Sequence, residues 1–512
     1  MKATTVGLGT LLAGCGGDGG SGDGGSGGDG GDGGSGGDGG SGGDGGDGGD
    51  GGDGDGGSTN GDQGDDLSGV SIDYWDVMNV QSQTASERVS AFIQEFQSDT
   101  GARVQLNKSG YSQMSGQKWV QAWQNENYPV AFNCEDFYFG RIIRTGHLMP
   151  FDDYKSDIDD SLIDGMDWAM DLKQDAYRFW DIPGESDIIN FPHATGVRNP
   201  IHVRKDLIEE AGYSMDDIPD TGSAVDDWEG LMEMAVGVQE DSSARYGFHG
   251  HGTWPDYNDN MAPWMSAELG SGSRYISEDG SEAYPADTWA EWVQRYQDMV
   301  HEYEVSGPAT ASTSDEEVAN MMYAGDVAMG NIETLNYPTF LRRAPDLMAN
   351  GNLKIVPYPG GDSGAPGHVG FHDSGLNKKP SNADAQRWER KLAVGKALMN
   401  KLGSSDFQNG YPDMVGWMPI RQDLWGEANA THAEQTGFLE TNATMLENAE
   451  TTWPYHRFSN AIIFRTIAPY IQSAINQEMS PEDAMAQARE ESNADIQSAI
   501  DELGEVGSWP IS

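Results

Sequence analysis

The stretch VSIDYWDVMNVQSQTASERVSAFIQEFQSDTGARVQL, residues 70–106, decides the fold. VSIDYW alternates as a strand does, and Thr84-Ala85-Ser86-Glu87 then offers a capping box. Val89, Phe92, Ile93 and Phe96 follow at helical spacing, Thr100-Gly101 stops the helix, and Arg103 to Leu106 resumes as a strand. This βαβ opening, with further strand-like runs at PVAFNC (129–134) and LKIVPYP (353–359) and helices such as WERKLAVGKALMNKL (388–402), predicts an α/β fold. In such sheets ligands sit beyond the carboxyl ends of the strands.

Composition sets the setting. The 512 residues include 83 acidic and 30 basic side chains, a formal charge of −53, and 13 of the Asp residues lie between Gly16 and Asp66. The rest are spread through helix-like stretches such as RKDLIEEAGYSMDDIPD and ESNADIQSAIDELGE, the pattern of a solvated acidic coat. At molar salt the Debye length is about 3 Å and the self-repulsion of such a coat is screened, so the composition reads as an extreme halophile's exposed protein. No basic patch interrupts the coat in sequence, which excludes nucleic acid as an expected partner. A disulfide between the two cysteines, Cys15 and Cys134, would close only a loop onto the low-complexity segment, and none is expected. Cys134 is expected to be a buried small hydrophobe.

The amino terminus carries its own signal. Lys2, a short apolar run and Leu12-Ala13-Gly14-Cys15 resemble a bacterial-type lipoprotein signal with its lipobox, which makes residues 1–15 a signal segment and Cys15 the lipidated anchor. Its apolar run is short and lacks a twin arginine, so Met1 and a start upstream of it stand as alternatives, and with them the export route. Residues 16–67 are almost all Gly, Asp and Ser and are expected to form a disordered tether. As a coil, about fifty residues would span roughly 40 Å. The formal G-x-S-x-G match at Gly24 to Gly28 lies inside this segment, without strand or helix, and carries no chemistry.

From residue 70 to 505 the chain resembles the extracellular solute-binding proteins, family one, most of them sugar-binding, that serve ABC importers. The likeness runs in order through the opening strand and capped helix, RIIRTGHLMPFDDY (141–154), GVRNPIHVRKDLIEEAGY (196–213) with Asp227-Trp228, MMYAGDVAMGNIETLN (321–336), GHVGFHDSGLNKK (367–379), GWMPIRQDLW (416–425) and INQEMSPEDAMAQARE (475–490). The resemblance implies a two-lobed periplasmic-binding-protein-like fold of type II with a hinge between lobes. It places the crossings near Thr195 to Asn199, Asn331 to Leu335 and Lys378. The lobes implied are 68–196 with 333–378, and 197–332 with 379–505.

A cleft for sugars needs aromatic platforms beside carboxylates, amides and imidazoles. Trp75 and Asp76 close the first strand, and Glu135, Asp136 and Phe137 follow the PVAFNC strand in the same topological position. The Gly-rich aromatic loop YGFHGHGTWPDYNDN, comparable to a sugar-contacting loop of the family, nominates His249, His251, Trp254 and Tyr257. Asn331 and Glu333 match the family's crossing after Ala-Met-Gly, and Gly370, His372 and Trp417 its later segments; Trp453 and Arg457 lie near a late helix start. His249-Gly250-His251 lacks a third ligand at a recognised spacing, so no metal and no cofactor are expected. Asn107, Asn429 and Asn442 each open an N-x-S/T sequon.

The expected function is that of a substrate-binding lipoprotein that captures a carbohydrate ligand between its lobes and delivers it to ABC-transporter permease subunits. It would be exported, a monomer, and lipid-anchored at the outer face of the membrane. Two rivals stand beside it: the same fold taking a glycerol phosphodiester, polyamine or metal chelate, and an exported glycan-cleaving enzyme. No H-E-x-x-H or Walker loop and no usable G-x-S-x-G supports catalysis.

Overall fold

The computed structural model describes residues 67–503, except 79–81, 109–116, 136–141, 144, 178–187, 198–199, 219–227, 253–275, 278–280, 284–285, 358–366 and 453–465. The opening unit forms as the sequence dictates. Strand β1 (Ser71–Asp76) leads into helix α1 (Gln83–Thr100), which buries Val89, Phe92, Ile93 and Phe96. Gly101 ends the helix in the left-handed conformation at φ 67°, and β2 (Arg103–Lys108) pairs parallel with β1. The cap is Ser82, whose hydroxyl accepts from the Ala85 amide at 2.9 Å, and not the expected Thr84.

The chain continues through β3 (Ala131–Glu135), β4 (Phe191–Val197), β5 (Ile201–Arg204), β6 (Tyr246–His249), β7 (Val327–Asn331), β8 (Leu353–Val356), β9 (Gly367–Leu376), β10 (Met418–Pro419) and β11 (Ala449–Thr452). These build two sheets. The seven-stranded sheet runs β10-β4-β9-β3-β1-β2, and the four-stranded sheet runs β6-β7-β5-β8. Strand β9 lies antiparallel between β3 and β4, and where β3 ends at the Glu135–His372 pair, β11 joins β9 along Gly367 to Val369.

Sheet membership corrects the expected lobe boundaries. Strand β4 ends at Val197 and β5 begins at Ile201, so the chain passes from one sheet to the other between them, an interval that overlaps the expected Thr195 to Asn199 and extends past it. Segment 333–378, expected whole in the first lobe, is divided: β8 pairs β5 in the small sheet, whereas β9 belongs to the large one. Segment 379–505, expected whole in the second lobe, holds β10 and β11 of the large sheet. Helix α2 (Ala385–Leu402) also packs on β1 and β9. Helix α3 (Phe438–Glu447) touches β4 and β9 on one side and β8 on the other, and so bridges the sheets.

A second tie is a glycine. Gly416, at φ +71°, ends the short helix Tyr411–Val415, and a Cβ there would sit 1.7 Å from the Thr334 carbonyl oxygen. Backbone on the other side of the contact cannot step aside. Gly416→Ala is expected to cost about 3 kcal/mol, combining left-handed strain with overpacking. The denaturation midpoint measures it; a loss below about 1 kcal/mol would show the contact to be soft.

Candidate functional site

Register brings the strand ends together. Strands β1, β3 and β4 run parallel to one another, so Asp76, Glu135 and Gly196 reach one edge of the large sheet, beside the start of β9, where Gly196 pairs Gly370 and Glu135 pairs His372. The chain enters the small sheet at Ile201, which pairs Asn331, the last residue of β7, and the neighbouring β6 ends at His249 beside Gly330. Carboxyl ends from both sheets thus converge on the crossover, the position at which open α/β sheets take ligands.

On the large-sheet side, Asp76 is buried and accepts from the Tyr74 hydroxyl at 3.4 Å. Burial first, and the Asp76 charge second, raise the Tyr74 and Tyr411 phenols well above their ordinary value, so both stay neutral donors. The His372 ring lies 4.2 Å from the Trp417 ring, and Trp417 lies flat against Gly196, where a Cβ would come within 2.7 Å of the indole. Only glycine admits the indole there. Further along, Ser374 lies 3.2 Å from Nδ1 of His193, whose Nε2 meets the Asn133 amide. His193 is held neutral, its pKa pushed down to about 3 by burial. Alternation along β9 sends Asp373 to the opposite face, where both its carboxylate oxygens lie 2.7 Å from Lys173 Nζ.

On the small-sheet side, His249 Nδ1 donates to its neighbour's carbonyl, Gly250 O, at 2.6 Å. His251 Nε2 lies 3.9 Å from Asp315 Oδ1, yet burial pushes the ring down to about 3, so the contact joins a neutral imidazole to a carboxylate and is no ion pair. Asp315 opens the helix Asp315–Ala324, behind the Ser314 capping box, and also accepts from the Glu333 amide at 3.1 Å and from the Asn336 side chain. It therefore gathers His251, Glu333 and Asn336 onto one carboxylate. Sequence reasoning missed it, because one acid among 83 carries no mark until the fold brings its partners near.

The expected residues divide accordingly. Asp76, Gly370, His372 and Trp417 stand at the large-sheet edge and His249, His251, Asn331 and Glu333 at the small-sheet edge, while Glu135 is placed by the β3 backbone. Trp75 is the correction. It points to the other face from Asp76 and packs edge-on against Trp119 at 5.2 Å and Trp123 at 5.7 Å, as a core residue. Asp136, Phe137, Trp254, Tyr257, Trp453, Arg457 and Cys15 lie outside the described residues. Cys134 is buried. Asn442 is fully buried and donates to Phe438 O at 2.7 Å, which leaves no room for a glycan; Asn429 is exposed. Among the described residues no three His, Cys, Asp or Glu side chains gather as metal ligands would, and no helix is long and apolar enough to cross a membrane.

Comparison with known proteins agrees with this architecture. Residues 81–408 match the family described as bacterial extracellular solute-binding protein. Among solved structures, the chain is similar to the cyclic alpha-maltosyl-1,6-maltose binding protein of Arthrobacter globiformis, at 15% identity and TM-score 0.63, covering 84% of this chain and 99% of that one. The GacH receptor of Streptomyces glaucescens, solved unliganded and with acarbose, gives 16% identity, TM-score 0.65 and coverage of 83% and 98%. Maltose-bound MalE3 of T. maritima gives 16% identity, TM-score 0.63 and coverage of 83% and 99%. At such identities the likeness carries the fold, which is the two-lobed periplasmic-binding-protein architecture. The family and these neighbours are binding proteins and not enzymes.

Proposed function

The chain belongs to the bacterial extracellular solute-binding proteins, and from that membership we propose that it captures a neutral sugar or oligosaccharide between its sheets and hands it to an ABC permease. The observation that carries the reading is the convergence of strand ends at the crossover, with Trp417 and His372 as an aromatic wall and Asp76, Asn331 and Asp315 as polar groups. Sugars present apolar CH faces and hydroxyl rims, and rings beside carboxylates and amides match both. Structural neighbours whose own ligands are maltose and acarbose lend further support. The ligand set proposed is Asp76, Glu135, Asn331, Glu333, Gly370, His372, Trp417, His249 and His251, with Asp136, Phe137, Trp254 and Tyr257 from neighbouring sequence and Asp315 added; Trp75 is withdrawn.

Capture of this kind proceeds by closure of the two sheets about the crossover, since a ligand bridging both edges favours the closed arrangement. In the proposed arrangement Cys15 is the lipid anchor of an exported monomer, Gly16 to Leu67 is its tether, and the acidic coat adapts it to high salt.

A thermal-shift screen in molar salt with mono- and oligosaccharides, polyamines and glycerol phosphates tests the reading. A saccharide at about 100 times its Kd should stabilise the protein by about 2.7 kcal/mol. Asp76→Asn, which keeps the shape, should weaken that saccharide at least about tenfold, the worth of one hydrogen bond to a charge. If only a charged ligand raises the midpoint, the sugar assignment is wrong.

A further inference from the structure

At the opposite edge of the large sheet, the amino ends of β1 and α2 enclose a surface pocket of about 350 Å³. Gly69, Val70 and Ser71 form one wall, and Asp384, Arg387, Arg390 and Lys391 form the other. The three cations recur at i, i+3 and i+4 and so share one face of the helix. Among the described residues none of the three forms an ion pair, whereas other surface cations do so: Lys396 on Asp157 at 2.7 Å, Lys401 on Glu95 at 2.8 Å, Arg421 on Asp423 at 2.7 Å. Among the described residues Arg390 reaches the Ser68 carbonyl alone, at 3.5 Å.

Their position is also the wrong end of the helix. Asp384 caps α2 by accepting the Arg387 amide at 2.8 Å, so all three cations fall in its first two turns. There the positive end of the macrodipole disfavours them. Arg103, the register partner of Ser71, adds a further exposed cation at the same strand ends. With no carboxylate partner among the described residues, three cations at a helix amino end raise the local potential without stabilising the fold; Asp384, the one acid in the lining, accepts the Arg387 amide as the cap.

We infer that this pocket binds a phosphate group, on inorganic phosphate or on a lipid headgroup. Arginine forks match phosphate oxygens in pairs. Because the molecule as a whole carries −53, an anion is repelled unless it makes these contacts. The pocket lies away from the strand ends that meet at the crossover, so its occupancy is independent of the solute.

The full chain tests this in 1 M KCl, where the Debye length of about 3 Å leaves only contact interactions. Inorganic phosphate is titrated by calorimetry, and phosphatidylglycerol and phosphatidylcholine vesicles are compared by flotation. Binding of phosphate, or of phosphatidylglycerol vesicles in preference to phosphatidylcholine, is expected to fall at least about tenfold in R387A/R390A/K391A and partly in R387K/R390K, which keeps charge and loses the fork. Phosphate binding alone identifies a free anion as the ligand, vesicle binding alone a headgroup. No binding of either, equal binding of both vesicles, or binding unchanged in a triple variant with native circular dichroism would overturn the proposal. The saccharide thermal shift should be the same in both variants as in the parent, which separates this test from that of the cleft.

Discussion

Acidification from about pH 7.5 to pH 5 is expected to unfold the protein before its carboxylates titrate. For four of the buried histidines, His193, His202, His249 and His251, burial pushes the pKa values down to about 3, 4, 4 and 3. In the unfolded chain an imidazole titrates near 6.5. The folded values are the lower ones, so the unfolded state binds more protons on the acid side. The stability of the neutral rings is complete above about pH 6.5 and drains away as pH falls from there toward the folded values. Each ring contributes about 1.4 kcal/mol per pH unit and the four together about 5.4 kcal/mol per unit, against a net stability of roughly 5–15 kcal/mol.

Carboxylates protonate later, near pH 4, and on so acidic a chain their neutralisation relieves repulsion. A loss between about pH 6.5 and 5.5 therefore belongs to the rings. Denaturation midpoints at fixed salt should be level above about pH 7 and steep below 6.5. His202, stacked on Phe340 at 5.5 Å, gives the control: His202→Gln should remove one proton's share of the slope. A level profile down to about pH 5.5 would refute the burial argument.

Asp373→Ala is expected to cost about 3–5 kcal/mol, because it breaks a fully buried ion pair by removing one partner. Both side chains are 0% exposed, and the ammonium lies 5.6 Å from the Tyr177 ring centre and 5.0 Å from that of Phe371. With neither side chain exposed, bulk water does not replace the lost carboxylate. Replacing the pair together, K173M/D373L, should recover most of the loss, since apolar substitutes of similar volume spare both desolvation costs. Urea midpoints of the single and double variants decide it. A double variant as unstable as the single one would mean that shape, and not charge, is what the site requires.

Much of the large sheet was legible because its opening unit uses the two periods that sequence displays, two for strands and 3.6 for helices. The partner of a strand is less legible than its existence. Leu353 to Val356 reads as a strand whether it pairs β5 or β9, and pairing with β5 moved it to the small sheet. Trp75 and Asp76 show the same limit at finer scale, since adjacent strand residues point to opposite faces and one position decides between core and cleft. Trp75 packs among Trp119 and Trp123, and Asp76, buried as well, lies on the other face. The helix cap moved from Thr84 to Ser82 because either hydroxyl can cap and local geometry chooses. His372 and Trp417 were nominated by ordered family-like segments. Asp315 was not, because its role rests on His251, Glu333 and Asn336, which only tertiary structure brings to it.

The central place of β9 sets a timetable for making the protein. Asn377, at its end, bonds Pro129 O across 248 residues of chain, and β9 is the only strand that joins β3 to β4 among the described residues. During synthesis from the amino end, β3 and β4 are finished long before the strand that unites them exists. Their open edges and apolar residues such as Phe132 and Phe191 stay unprotected in the nascent chain, and such edges recruit the wrong neighbours. Closing so distant a pairing is slow. Yield in recombinant production is accordingly governed by what shelters that gap while the last third of the chain is still being made.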